Sequence, residues 1–377
     1  MSKIVIVGSG FAGLWAALSA GRLINLSIEK GMQEASNIEL YEAEPANMVV
    51  PLDDLFNATG IKFIQGIVTS IGTESRELSV ASNSGMTPVL AYDRLVQAAG
   101  SQAIRPAILG LDDYAYSVDH IEDAIKLHEH LDSLTSLQES RARDTVVVCG
   151  GGFAGIGTAA ELPWRMRSVL GHEAHVRVVV VDREKHIGPD LGPNPRPAIE
   201  AALKDLKVEM KLGSPLAGID ADGVVLASGE RIETLTAVWA AGHGRLIMDT
   251  NLRVPTVETV FVCGDAAFAA TGRIAGHNAA ADLLGLPAIP YRQPYYGTCL
   301  DLGPESAVLT EGWDCVVRSN GAEAKVIKRY VNGTIIYSPK ADARVAFAAA
   351  DPAFNDPDKA VNIPTLKGFI AEMEAAA

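Results

Sequence analysis

Six glycines with a spacing suited to phosphate binding stand in two groups, 142 residues apart when counted from Gly8 to Gly150. Both groups have the pattern G-x-G-x-x-G and consist of Gly8, Gly10 and Gly13, and of Gly150, Gly152 and Gly155. In such a turn the first glycine makes a sharp bend, the second lets the backbone approach a phosphate, and the third lets helix and strand pack closely. The spacing therefore predicts two phosphate-binding turns.

The residues around each turn predict a strand before it and a helix after it. Four β-favouring residues precede the glycines at 4–7 and at 146–149, and helical stretches follow at 14–23 and 156–170. Strand, turn and helix in this order are the context in which the pattern binds a dinucleotide at the helix N-terminus. Two residues between the glycines are also shared by the copies, and we expect them to line the ligands: Phe11 and Ala12, and Phe153 and Ala154.

An acidic residue ends the strand that is expected after each helix. Glu42 follows Gly13 by 29 residues, and Asp182 follows Gly155 by 27. A carboxylate at this point accepts hydrogen bonds from the ribose hydroxyls of adenosine, usually at a spacing of about 20 residues. Polar insertions between helix and strand account for the longer gaps. The alternative interpretation of each acid is a solvated residue at a strand end.

Two dinucleotide turns in one chain indicate a hydride donor and a hydride acceptor held face to face. We expect a permanently bound flavin at the first turn and a nicotinamide at the second. The charge of Asp182 favours NADH, because a carboxylate accepts from the ribose 2′-OH and repels a 2′-phosphate. The neighbouring Arg183 could instead bind that phosphate, so NADPH stays open.

Three further segments carry a family resemblance. The segment YDRLVQAAGS at 92–101 resembles "YDxLVxATGS", FVCGDAA at 261–267 resembles "VFAxGDAA", and MVVPL at 48–52 resembles "FxPLL". The chain thus resembles the pyridine nucleotide oxidoreductase superfamily of FAD/NAD(P) enzymes. It is most similar to the branch without a redox disulfide, which includes type II NADH dehydrogenases and apoptosis-inducing-factor-like quinone reductases.

This resemblance implies specific roles for single residues. FAD would be held by the first turn and by a set of residues along the dinucleotide, namely Glu42, Val68, Ala99, Gly100, Gly264 and Asp265. NAD(P)H would be held by the second turn together with Asp182 and Gly242. Pro51 would line one face of the flavin ring. His277 or Asn278 would take either a polar role at the acceptor ring or a purely structural role, buried or at the surface. No catalytic side chain beyond the flavin is required.

The order of the segments predicts an α/β fold with two Rossmann-like three-layer dinucleotide-binding domains and a small C-terminal α+β domain. The FAD domain is predicted to be discontinuous, at 1–115 and 243–296, because the GD pair follows the whole second repeat. The NAD(P) domain is predicted at 116–242. The C-terminal interface domain is predicted at 297–377, with a helix at 321–332.

One position departs from the family pattern. The family usually continues its second glycine motif with a glutamate near the nicotinamide and the flavin, whereas this chain has Gly157 there. Two interpretations follow. Either NAD(P)H binds with less help, or the domain keeps its fold and has lost ordinary turnover. We favour binding, because the second turn and Asp182 are intact.

The amino-acid composition limits the classes of partner that the protein could bind. The 377 residues carry 46 acidic and 32 basic side chains, a net charge of −14, which disfavours nucleic acid and anionic membranes. The histidine and cysteine spacings predict no metal site. We expect a cytoplasmic protein with at most weak peripheral membrane contact, and a homodimer is compatible with the sequence. The expected acceptor is a small molecule such as a quinone.

Three alternative functions keep the fold. A sulfide or thiol donor would need a cysteine against the flavin, whereas Cys149 and Cys263 read as small buried hydrophobes. A ferredoxin-like protein acceptor is disfavoured by the acidic surface. A redox-sensing flavoprotein with little NAD(P)H turnover is favoured only by Gly157.

Overall fold

The computed structural model describes residues 2–29, 37–42, 52–81, 87–242, 244–267, 272–293, 296–331, 338–355 and 368. The chain forms two compact units. Unit 1 comprises Met1–Ser101, Gly244–Pro294 and Thr334–Ala360, and unit 2 comprises Gln102–His243, Tyr295–Gly333 and Val361–Ala377.

Unit 1 is built on a mostly parallel sheet. Its strands and helices are β1 (Lys3–Val7), α1 (Phe11–Glu29), β2 (Asn37–Glu42), α2 (Asp53–Thr59), β3 (Lys62–Gln65), β4 (Ile67–Gly72), β5 (Glu77–Ala81), β6 (Val89–Ala91), β7 (Arg94–Gln97), β16 (Arg253–Val254), β17 (Val257–Val262), α8 (Gly272–Leu284) and α10 (Ala343–Ala349). The sheet has the order β16-β17-β7-β1-β2-β3, and β4-β5-β6 form a separate antiparallel sheet.

Unit 2 repeats this plan with a second parallel sheet. Its elements are α3 (Leu111–Tyr114), β8 (Ala115–Ser117), α4 (Ile121–Ser133), α5 (Arg141–Asp144), β9 (Thr145–Cys149), α6 (Phe153–Leu170), β10 (Arg177–Val181), α7 (Arg196–Asp205), β11 (Val208–Lys211), β12 (Leu216–Asp220), β13 (Gly223–Leu226), β14 (Arg231–Glu233), β15 (Thr236–Trp239), β18 (Gly297–Asp301), β19 (Ala307–Glu311), β20 (Val316–Asn320) and α9 (Gly321–Tyr330). The parallel order is β11-β10-β9-β15-β8, and the remaining strands form two small antiparallel sheets.

The central strands are apolar because they are buried on both faces. Ile4, Val5 and Ile6 in β1 are fully buried, as are Val146 and Val148 in β9. Such continuous apolar runs are typical of parallel strands covered by helices on either side. The two sheets confirm the predicted α/β class with two Rossmann-like halves.

The helices begin earlier than the sequence predicts. The stretches predicted at 14–23 and 156–170 are helical from Phe11 to Glu29 and from Phe153 to Leu170. The difference lies in the first turn, where a glycine and an exposed phenylalanine weaken the apolar pattern. Contacts between helix and strand, rather than local propensity, extend these helices back to the glycine turn.

The C-terminal part is divided differently from the predicted interface domain at 297–377. Residues 295–333 belong to unit 2, and residues 334–360 belong to unit 1. In unit 2, Leu300 and Val308 share a buried cluster with Ile156 of α6. In unit 1, Ala346 and Ala350 are fully buried in the cluster that contains α1. Each segment is thus attached to a dinucleotide-type core rather than forming a third core.

Helix α1 forms much of the core of unit 1. By length and composition it resembles a membrane span, but 56% of the relevant stretch is buried within the protein. It packs directly against α8 through a G-x-x-x-G pair, in which a Cβ on Gly272 would overlap Ala12 O and a Cβ on Gly276 would overlap Ala16 O. This backbone-to-backbone packing leaves no room for a side chain at Gly272 or Gly276.

The two helical glycines Gly276 and Gly157 offer a matched test of this packing. Gly276→Ala should lower the free energy of unfolding by about 1–3 kcal/mol, because the added methyl group overlaps α1. Gly157→Ala should raise it by about 1 kcal/mol, because alanine favours the helix and the position faces open space. Chemical denaturation measures both. A Gly276→Ala protein as stable as the parent would contradict the close helix crossing.

His130 of α4 lies in a partly buried polar cluster of unit 2. Its ring stacks on Tyr116 with centroids 4.4 Å apart, and its Nε2 lies 2.9 Å from Thr236 Oγ1. Burial lowers the pKa of His130 below its usual 6.5, although a hydrogen bond to the Leu235 backbone opposes the shift. The neutral ring is therefore the form that the fold favours.

The lowered pKa of His130 predicts the direction of acid destabilisation. Below about pH 6.5 the unfolded chain binds a proton that the folded chain resists, so stability is fully present at higher pH and falls as the pH drops toward the folded pKa. His130→Gln should make the unfolding free energy less dependent on pH in this range. Urea unfolding at several pH values measures this, and an unchanged slope would contradict the assignment.

Candidate functional site

The first glycine turn has a distinct environment at each glycine. Gly8 has φ +100°, and a Cβ there would overlap the carbonyl of Ala98. A Cβ on Gly13 would overlap Gly8 O, whereas Gly10 has no heavy atom within 4 Å of its Cβ position. These environments provide a sharp bend, a close contact between helix and strand, and an open approach to the backbone between them.

The second turn repeats these environments in unit 2. Gly150 has φ +126°, and its Cβ position lies 2.7 Å from Ala240 O. A Cβ on Gly155 would overlap Gly150 O, and Gly152 again faces open space. The two turns are therefore alike in packing as well as in sequence.

Several predicted residues of the first site meet around the N-terminus of α1. The Cβ position of Gly264 lies 2.6 Å from the Cβ of Ala12, and Ala99 Cα lies 2.7 Å from the Cβ position of Gly8. Gly100 and Asp265 are exposed next to them. An exposed carboxylate and open glycines at a helix N-terminus leave this edge of the sheet accessible to a ligand.

Two other predicted residues of the first site, Glu42 and Val68, lie on strands next to the turn. Val7 pairs with Tyr41, so the backbone of Glu42 comes level with Gly8 at the carboxyl ends of β1 and β2. Val68 of β4 is half-buried and packs against the cluster that contains Val7. Pro51 lies outside the described residues.

Asp182 braces the second turn through its carboxylate. One oxygen accepts a hydrogen bond from Gly151 N–H, and the other accepts from Glu184 N–H at 2.7 Å. The Gly151 carbonyl in turn accepts from Gly188 N–H at 2.8 Å. A carboxylate has about four acceptor positions, so Asp182 can hold the turn and still accept from a ribose hydroxyl. Arg183 is exposed, and its Nε lies 3.4 Å from Glu184 Oε1.

The remaining predicted residues of the second site border the same edge of the sheet. Gly242 follows β15, and its carbonyl accepts a hydrogen bond from Ile104 N–H at 2.9 Å. Phe153 and Ala154 are exposed at the start of α6, as Phe11 is at the start of α1. The phenylalanines are 43% and 52% exposed, respectively. Large apolar side chains in the open beside a phosphate-type turn suit contact with a ligand.

His277 is not brought to the first turn. Burial, and secondarily the charge of Arg22, lowers the pKa of His277, while Asp351 acts in the opposite direction. Arg22 lies eleven residues after Phe11, about 16 Å along α1. The neighbouring Asn278 is fully buried, and its side-chain amide bonds to the backbone of Asn251 and Ile289. Asn278 therefore ties α8 to two loops.

None of the chain's four cysteines is presented as a reactive thiolate. Burial raises the pKa of Cys149 and of Cys263 to about 12 and also raises the pKa of Cys299. Cys315 is buried as well. A thiol at such a pKa is protonated at neutral pH, so it is a poor nucleophile. Within the described ranges, moreover, no cluster of His, Cys, Asp and Glu could hold a metal ion.

Two features of the sites were not predicted from the sequence. One is the Gly272 and Gly276 pair that sets α8 against the first turn's helix, although its G-x-x-x-G spacing is visible in the sequence. The other is the bond from Gly151 N–H to Asp182, which depends on the loop after β10 and has no sequence signal.

The pyridine nucleotide-disulphide oxidoreductase family matches residues 2–282. The chain belongs to this family, and the predicted superfamily is thus confirmed. The family makes the protein an oxidoreductase of the FAD- and pyridine-nucleotide-dependent class.

Individual relatives make the likeness more specific. An NADH dehydrogenase-like protein of Mycobacterium tuberculosis is 36% identical over 395 residues, covering 93% of this chain and 98% of that protein. A type II NADH:quinone oxidoreductase of Staphylococcus haemolyticus is 27% identical over 301 residues, covering 70% and 74%. The sulfide:quinone oxidoreductase of Aquifex aeolicus has a similar fold, with TM-score 0.70, 16% identity and coverage of 94% and 93%.

The two turns allow a matched test of ligand assignment. Gly10→Val should lower the FAD content of the purified protein at least tenfold, because its side chain fills the open approach to the first turn. Gly152→Val should leave the FAD content unchanged and raise KM for NADH about tenfold or more. Flavin absorbance and steady-state kinetics measure these effects. The assignment fails if both variants change the same ligand, provided that thermal unfolding shows both to be folded.

Proposed function

We propose that the protein passes electrons from NADH, through FAD, to a quinone. Two electrons and one proton leave NADH as a hydride, and the quinone takes up two electrons and two protons, the second proton coming from water. FAD, when bound, supplies the hydride acceptor and the electron donor for these two half-reactions. The protein's part is to bind, orient and keep the reactants dry.

The observation that carries the proposal is the pair of equivalent turns, one in each unit. The first turn, with Glu42, Val68, Ala99, Gly100, Gly264 and Asp265, would hold FAD. The second, with Asp182 and Gly242, would hold NADH. In each turn a helix, whose N-terminus carries a partial positive charge, begins directly after the open second glycine. That arrangement suits the pyrophosphate of a dinucleotide.

The surroundings of Asp182 support NADH rather than NADPH. Its carboxylate is fixed by two backbone N–H groups and stands at the position where a 2′-phosphate would add further negative charge. Arg183, the residue that could instead bind a 2′-phosphate, has its Nε 3.4 Å from Glu184 Oε1. A carboxylate held in place discriminates against a phosphate more strongly than a mobile one, because it cannot turn away.

Gly157 affects how the nicotinamide is oriented. Its Cβ position has no heavy atom within 4 Å, so the helix leaves open space where relatives of the family carry a glutamate. With no carboxylate there, backbone groups are left to orient the nicotinamide. The intact second turn and Asp182 support binding, while the missing side chain is the one observation that favours a redox sensor with little turnover.

The quinone acceptor is supported by resemblance, and NADH as the donor is supported by the burial of the cysteines. The Staphylococcus haemolyticus relative is a type II NADH:quinone oxidoreductase by name. A sulfide donor is disfavoured, because Cys315 is buried in the core and burial raises the pKa of the other three thiols. The net charge of −14 disfavours an acidic protein acceptor. A cytoplasmic location, weak membrane contact and a homodimer stay predictions.

An anaerobic titration of the purified holoenzyme tests donor and acceptor together. NADH should bleach the flavin at one equivalent and faster than NADPH, and menadione should then restore the oxidised spectrum. Faster reduction by NADPH would contradict the role of Asp182. Slow reduction by both nucleotides would favour the redox-sensor function. Prompt reduction followed by no response to menadione would reject the quinone.

A further inference from the structure

The order of strands in unit 1 fixes which way the first dinucleotide would run. In the proposed function the pyrophosphate lies at the turn between β1 and α1, and the adenosine ribose lies at Glu42, which ends β2. The strand order is β17-β7-β1-β2, so β2 stands on one side of the turn and β17 on the other. Gly264 and Asp265, which follow the carboxyl end of β17, would therefore hold the half of the dinucleotide that carries the flavin.

A loop at 244–249 lies against this segment. Leu246 N–H donates a hydrogen bond to Ala266 O at 2.7 Å. Met248, two residues later, is half-buried and packs against the cluster of Val262, Ala266 and Ala267. The loop is thus attached to the GD segment by one hydrogen bond and one apolar anchor.

The base of this loop is fixed by a side chain. Asp249 Oδ1 accepts hydrogen bonds from Asn251 N–H at 2.7 Å and from Arg253 N–H at 2.9 Å. Asp249 N–H also donates to Arg253 O at 2.8 Å. The backbone is thus held on both sides of Ile247, at Leu246 and at Asp249.

Two large apolar side chains of the loop face solvent. Leu246 is 43% exposed and Ile247 is 78% exposed. Neighbouring exposed aliphatic side chains on a fixed backbone are unfavourable in water and often mark a binding surface. Their position next to the segment that would lie along the flavin suggests what they bind.

We infer that Leu246 and Ile247 form the contact surface for an apolar, ring-shaped electron acceptor, a quinone, beside the reactive end of the FAD site. This inference rests on the proposed function. A quinone has two apolar ring faces and a substituted edge, which aliphatic side chains can cover without competing for its carbonyl oxygens. A polar acceptor such as ferricyanide gains nothing from such a surface.

The test uses the holoenzyme and compares Leu246→Ser, Ile247→Ser and the double variant with a matched control, Ile67→Ser. Ile67 is 60% exposed in the same unit but lies in the β4-β5-β6 sheet. Calorimetric titration of the oxidised holoenzyme with menadione, without NADH, measures binding independently of turnover. The double variant should bind about tenfold more weakly, the effect of removing roughly 1.4 kcal/mol of apolar contact. Ile67→Ser should bind as the parent does.

Kinetics then separate the surface from the rest of the reaction. The double variant should raise KM for menadione about tenfold and leave flavin reduction by NADH and turnover with ferricyanide unchanged. Unaltered menadione binding in the double variant, or no binding to the parent, would overturn the inference. Failure of NADH to reduce the flavin would instead reject the proposed function, and the calorimetric result would still decide the surface.

Discussion

In both units, the carbonyl oxygen of the first glycine in the G-x-G-x-x-G turn occupies the position that a Cβ on the third glycine would take. This contact between backbones at Gly8 and Gly13, and again at Gly150 and Gly155, brings each helix N-terminus onto the end of a central strand. The middle glycine is thereby left facing open space at the start of the helix. Any side chain at the third position would push the helix away and remove the phosphate site along with the packing.

The same small-residue packing extends beyond the turns. Gly272 and Gly276 let α8 lie directly on α1, and Arg273 between them covers the ring of Trp15 with its guanidinium carbon 3.8 Å from the ring centroid. Burial lowers the pKa of Arg273 to about 10, and its Nε donates to Ala349 O at the end of α10. Helix α8 is thus held on α1 by backbone contact and on α10 by a cation that meets the C-terminus of that helix.

The strands around the turns were predictable because parallel strands buried on both faces consist of uninterrupted apolar residues. The helix starts at Phe11 and Phe153 were not, because these two apolar residues are exposed and break the periodic pattern. The attachment of 295–333 to unit 2 could not be predicted either, since Leu300 and Val308 read locally as ordinary strand residues. Only their shared cluster with α6 shows where they are buried.

The sequence by itself determined the two dinucleotide-type turns and the family, because glycine spacing is imposed by local backbone sterics and by the approach of a phosphate. It also determined where the acids stand, since a strand end is a local feature. The tertiary structure decided what those residues touch. It gave Asp182 two backbone N–H donors, buried Cys149, Cys263 and Cys315, and left Leu246 and Ile247 in the open. These outcomes depend on contacts between residues far apart in the chain, which local pattern does not encode.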